Sequence, residues 1–99
     1  MVKEFSTHDR LVVALGQVLQ EQRVQLGMSQ TQLAEASEFH RSYISDVERG
    51  YRNISLRNLS RLATALNLPV STALLQAERR VQLKTLKLPK EKVGVAEEL

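Results

Sequence analysis

Arg41, Ser42, Ser45 and Asp46 fall within six residues and share the outer side of a short predicted helix, 41–49. Their chemistry is that of recognition. The planar fork of Arg41 can donate to guanine O6 and N7 together. Ser42 and Ser45 can bond a base edge or a phosphate. A carboxylate is repelled by phosphates, so Asp46 either accepts from cytosine N4 or holds Arg41 or Arg49 in place. His40 stands at the front of the same helix, and Tyr43 faces either a sugar-phosphate or the preceding turn. No Ser/His/Asp or Cys/His arrangement accompanies these residues. There is no glycine-rich phosphate loop, and the acids are scattered on helix faces, so an enzyme is not expected.

The elements that must position this set can be read from the same region. Ser29 and Gln32 form an S-x-x-Q capping box that opens a helix over 30–37, with Leu33 and Ala34 as its small apolar face. Ser37-Glu38-Phe39-His40 makes a turn, with Phe39 as a plug beneath it. Ile44 and Val47, three residues apart, turn the next helix inward, and Gly50 supplies the left-handed stop. Two short helices, the second with a polar outer face that core packing does not require, suit insertion into a DNA major groove.

Charge placement supports that reading. The net charge of +3 is mild, but Arg49, Arg52, Arg57 and Arg61 occupy one stretch with no acid among them. Phosphate neutralisation needs such a local cluster more than a high total. Arg49, Arg52 and Asn53 should face the backbone, and Arg57 and Arg61 could extend the track or be surface.

The remaining chain frames this unit. A first helix is expected over 7–26, with Leu11, Leu15, Val18, Leu19 and Leu26 on one face and Gly27 as its stop. Gly16 lies inside it, where glycine weakens a helix by about 1 kcal/mol against alanine, which suggests a close helix contact. Ser55 caps a fourth helix carrying Leu56, Leu59, Leu62, Ala63 and Leu66, which ends at Asn67-Leu68-Pro69. Ser71 can cap a fifth, running through Leu74, Leu75 and Glu78 toward Leu83. The expected layout is an arm or extra helical turn over 1–10, a DNA-binding domain over 11–83 with its two key helices at 30–49, and a tail over 84–99. The class is all-α, with five helices.

Ninety-nine residues allow one modest core. Cysteine is absent and the two histidines are far apart, so neither a metal site nor any other cofactor is expected. No apolar run approaches the roughly 20 residues that span a bilayer, and the first residues lack a secretory apolar segment. A cytoplasmic protein is expected. Leu66, Leu68, Val70, Leu74 and Leu75, with Val81 and Leu83, exceed what so short a chain needs for its own core, and they mark a candidate dimer surface.

The segment Leu15 to Leu75 resembles the phage-repressor (Cro/C1, Xre-like) helix-turn-helix family. The resemblance is carried by Gln22-Arg23, Leu26-Gly27-Met28-Ser29-Gln30, Gln32-Leu33-Ala34-Glu35, Ser42-Tyr43-Ile44-Ser45, Val47-Glu48-Arg49-Gly50 and Arg52-Asn53-Ile54-Ser55-Leu56, then by Leu59, Leu62-Ala63 and Ala65-Leu66. The run from Arg41 to Ser55 is especially similar to controller proteins of restriction–modification systems. The resemblance implies a lambda-repressor-like fold of five helices. It implies a homodimer on an inverted-repeat operator, the partners being double-stranded DNA and a second copy, with RNA polymerase a further candidate facing Glu35 and Glu38. It implies that Gln30 grips a phosphate and buttresses the next helix, that Arg52 is a base reader, and that Arg23 and Glu48 form a partly buried structural pair. It places the protein in a bacterium or phage, associated with the nucleoid. Family members often carry glycine where Glu38 stands, so a local difference in the turn is expected there. An antitoxin whose tail binds a toxin, and an adaptor that uses the fold for protein contact, are the alternatives.

Overall fold

The computed structural model describes residues 7–85, with side-chain surroundings from Asp9 to Gln82. All regular structure among the described residues is helical. It comprises α1 (Thr7–Gln25), α2 (Gln30–Ser37), α3 (Arg41–Glu48), α4 (Leu56–Ala65) and α5 (Val70–Thr85).

Local chemistry accounts for most of the boundaries. Gly27 takes φ 73° after α1, a conformation that glycine adopts without the Cβ clash other residues meet. The Ser29 hydroxyl accepts from the Gln32 N–H at 3.0 Å, and the Ser29 N–H donates to Gln32 Oε1 at 2.8 Å, so both halves of the capping box are made. Ser55 Oγ accepts from the Asn58 N–H at 3.1 Å and opens α4. Asn67, at φ 53°, closes it.

Some boundaries differ from the sequence expectation; α3, for one, ends at Glu48 and not at Arg49. α1 ends at Gln25, and Leu26 beyond it is 45% exposed, outside the apolar face assigned to it. α5 begins at Val70, its first turn closed by the Ala73 N–H donating to the Pro69 carbonyl at 3.0 Å, so Ser71 lies inside the helix and does not cap it. α5 also runs to Thr85, into the segment expected to be tail. The rest of that tail (86–99), the first six residues of the arm and the side chain of Leu83 lie outside the described residues.

α1 is the hub. It packs along α5 and against α3, while α2 packs on α3 and α4, and α4 meets α5. The core draws Ala14, Leu15, Val18 and Leu19 from α1, Leu33 and Ala34 from α2, and Ile44 and Val47 from α3. Leu59, Leu62 and Leu66 come from the α4 side, and Ala73 and Ala77 from α5. α5 therefore fills its closest approach with alanine, which lets two helix backbones come near each other.

Gly16 has the same effect on the other side of α1. A Cβ at this position would sit 2.3 Å from the Val47 carbonyl oxygen and 2.9 Å from that of Glu48. The last turn of α3 thus lies directly on the α1 backbone. Gly50, at φ 78°, turns the chain under Val13, where a Cβ would come within 2.8 Å of Val13 Cγ2. Two polar ties complete the frame. Gln22 Nε2 donates to the Leu66 carbonyl at 2.9 Å, joining α1 to the end of α4. On the surface Arg80 makes a two-pronged pair with Glu21, and its hydrogen bond holds the Glu21 carboxyl below the ordinary carboxylate range.

Candidate nucleic-acid interface

α3 divides its residues between two sides. Ile44, Val47 and Glu48 are buried, Arg41 and Ser42 are exposed, and Tyr43, Ser45 and Asp46 lie between. His40, in extended conformation before the helix, makes no side-chain cap bond and is exposed. The polar residues grouped from sequence therefore do occupy one accessible side of a short helix.

Arg41 is held from behind. Its Nη1 donates to Gln30 Oε1 at 2.9 Å. The same amide uses its nitrogen to donate to Glu48 Oε1 at 3.0 Å. Glu48 in turn receives both prongs of Arg23, from Nε at 2.6 Å and from Nη2 at 3.1 Å, and Arg23 Nη1 donates to the Met28 carbonyl at 2.7 Å. The Arg23 and Glu48 side chains are only 10% and 2% exposed. Such a pair is isolated from screening salt and tolerates no half-removal, because the surviving charge would be buried alone. One continuous chain of donors and acceptors thus runs from α1 through α3 and α2 to Arg41 at the surface. Arg41 can only donate and the Glu48 carboxylate can only accept, so one orientation of the Gln30 amide satisfies both.

Asp46 and Tyr43 serve other partners than Arg41. Asp46 Oδ2 lies 3.5 Å from Arg52 Nε, so it steadies the loop arginine and neither Arg41 nor Arg49. The Arg52 guanidinium also rests over the Tyr43 ring, 5.3 Å from its centre. Tyr43 packs against Phe39 with ring centres 4.8 Å apart, and its hydroxyl accepts from Asn58 Nδ2 at 3.0 Å. Arg49 stands over Tyr51, 5.0 Å from the ring centre, and Tyr51 is 70% exposed. Arg49, Arg52, Asn53 and Arg57 are all exposed on the path from α3 into α4. They form a basic rim beside the polar side of α3.

Arg61 leaves that track. Its Nη2 donates to the carbonyls of Ser37 at 2.8 Å and Glu38 at 3.1 Å, and its guanidinium lies 4.1 Å from the centre of the Phe39 ring. Glu38 itself takes the left-handed conformation, φ 64° and ψ 39°. Glu38 thus occupies the left-handed position itself, without a glycine.

A helix-turn-helix family model matches residues 19–72, more than half of the chain. The chain belongs to the phage-repressor-like (Xre-like) helix-turn-helix family. Among its relatives, the control protein C.BamHI of Bacillus amyloliquefaciens is 54% identical over 39 residues, which cover 39% of this chain and 48% of that protein. The chain thus spans about half the length of that curated relative. The restriction–modification controller protein C.AhdI of Aeromonas hydrophila has a solved structure with a TM-score of 0.61 and 47% identity, over 63% of this chain and 94% of that one. C.Esp1396I, solved as a tetramer in complex with its natural 35 base-pair operator, matches at a TM-score of 0.66 and 26% identity, over 73% of this chain and 95% of that one.

The helix-turn-helix fold also revises the leucine surface. Leu66 has no exposure and belongs to the protomer's own core, so it cannot offer its side chain to a partner. Its position at the end of α4, seven residues after Leu59, carries it inward with that row. Leu68, Val70 and Leu74 are half-buried and Leu75 is 47% exposed. Sequence reasoning missed two residues of the interface framework, Asn58 as the partner of Tyr43 and Arg61 as a brace of the turn. Their three-residue spacing put them on one side of α4, but nothing in the sequence pointed that side at the turn.

Proposed function

We propose that this helix-turn-helix protein is a sequence-specific DNA-binding transcriptional regulator that binds an inverted-repeat operator as a homodimer, in the manner of a controller protein acting on its own promoter. α3 enters the major groove. Arg41 reads guanine, and Ser42, Ser45 and His40 contact neighbouring edges or phosphates. Gln30, Arg49, Asn53 and Arg57 grip the backbone on either side, and Arg52 reaches a base or phosphate from its place over Tyr43.

The observation that carries this reading is the linked set Arg41–Gln30–Glu48–Arg23. A surface arginine anchored to a buried ion pair is preorganised, and less side-chain freedom is lost when it binds. A single unit of this size reads few base pairs. Two related by symmetry reach half-sites about 34 Å apart, one turn of duplex. Leu68, Val70, Leu74 and Leu75 are the surface we assign to that pairing. The operator complex of the C.Esp1396I tetramer supports multimeric operator binding by this kind of chain.

A salt titration of duplex binding tests the assignment. Arg49 and Arg57 give four phosphate contacts per dimer, and six where Arg52 also meets a phosphate, which predicts a log affinity against log salt slope of about −4 to −5. A slope near zero would contradict it and favour an adaptor that uses this fold for protein contact.

A further inference from the structure

We propose that Arg61 is a positioning residue for DNA reading, one that clamps the turn between α2 and α3 and so sets the orientation in which α3 meets the duplex. The proposal rests on α3 being the reading helix.

The end of a helix leaves carbonyls without partners. At the end of α2, Arg61 Nη2 takes two such carbonyls at once, those of Ser37 and Glu38. Water could satisfy these oxygens, but it could not hold what lies beneath. The guanidinium is stacked 4.1 Å over Phe39, and Phe39 is packed against Tyr43 of α3. The same arginine therefore touches the backbone on one side of the turn and the aromatic pair that leads into α3 on the other. Asn58, one turn earlier on α4, grips the Tyr43 hydroxyl. α4 thus holds the turn and α3 at two points, from two residues on one face.

The turn needs this hold because of its own sequence. Glu38 sits at φ 64°, where a Cβ crowds the backbone and glycine would be relaxed. A strained turn that is free to relax would swing the short helix behind it. Arg61 opposes that relaxation by bonding the strained residue's own carbonyl. Its side chain is 42% exposed, so the competing role is a phosphate contact. The two roles leave different signatures.

The test uses the full chain carrying Arg61→Gln, and the double variant Arg61→Gln with Glu38→Gly, beside the wild type. Amide hydrogen exchange at Phe39 and Tyr43 is measured without DNA. The affinity ratio of selected to unrelated duplex, and the salt slope, are measured with it. We expect Arg61→Gln to speed exchange at both amides and to lower the affinity ratio about tenfold, the size of one mismatched base pair, with the salt slope unchanged. Glu38→Gly should restore most of the ratio by removing the strain. A slope reduced by about 1 for each arginine lost, with the ratio intact, would make Arg61 a phosphate contact and overturn the proposal. A lower melting temperature with an unchanged ratio would overturn it as well. Unchanged exchange would remove the clamp itself. A wild type without any duplex preference would instead defeat the assignment of α3, while the exchange measurement would still decide the clamp.

Discussion

Gln30 shows how much of this site depends on single atoms. Its oxygen serves Arg41 and its nitrogen serves Glu48, so one side chain couples a surface arginine to a buried ion pair. The two sides of α3 were legible in the sequence, because Ile44 and Val47 fix which side turns inward and leave Arg41 and Ser42 outside. The hydrogen-bond partners were less so. Asp46 holds Arg52, four residues past the end of α3, because the loop folds back over Tyr43, and no periodicity encodes a loop path. Glu48→Gln checks the structural role of the pair. It leaves the Arg23 charge buried without a counter-charge, a loss of about 3 kcal/mol or more, and the melting temperature should fall accordingly. The preferred DNA sequence should stay the same. A changed preference at unchanged stability would show that Glu48 acts in recognition.

At the scale of elements, helix starts were readable wherever a side chain caps them, as at Ser29 and Ser55. α3 started where expected without one, since His40 makes no side-chain cap bond, but the start of α5 was misread. α5 begins one residue before Ser71, because Pro69 and the first turn set its start. The use of Gly16 follows from a contact between elements that are distant in sequence. Two effects compete when it is replaced by alanine. Helix propensity favours the change by about 1 kcal/mol. Against this, the new methyl would meet the Val47 carbonyl oxygen at 2.3 Å, an overlap with backbone that cannot rotate away. Overpacking of this kind typically costs about 1–3 kcal/mol, occasionally more, and this overlap is severe. Gly16→Ala should therefore destabilise the protein in urea unfolding by about 1–2 kcal/mol net. A gain in stability would mean that α1 and α3 are not in this contact.

For the whole molecule, α5 is tied to α1 by Ala73 and Ala77 beneath and by the Arg80–Glu21 pair outside. The hydrogen bond from Arg80 lowers the Glu21 pKa in the folded state, desolvation opposes it, and the Arg80 charge adds a smaller lowering. A depressed carboxylate adds stability above its unfolded value and loses it as pH falls through the folded one. The pair is largely exposed, the Glu21 side chain being 61% accessible, so its effect should be under about 1 kcal/mol. Glu21→Gln should lower stability slightly at pH 7 and narrow its gap from wild type below about pH 4, read by chemical unfolding across that range. A gap that stays constant with pH would show that the ion pair contributes nothing through protonation.

The central claim is that two copies of α3 read an inverted repeat through a preorganised Arg41. The measurement that tests it most directly is selection from random duplex DNA with sequencing of the bound pool, run on the wild type and on Arg41→Ala. The account predicts an enriched inverted repeat with half-sites about one helical turn apart, and relaxation of one base position in each half-site when Arg41 is removed. A pool without an enriched motif, or a motif unchanged by Arg41→Ala, would contradict it.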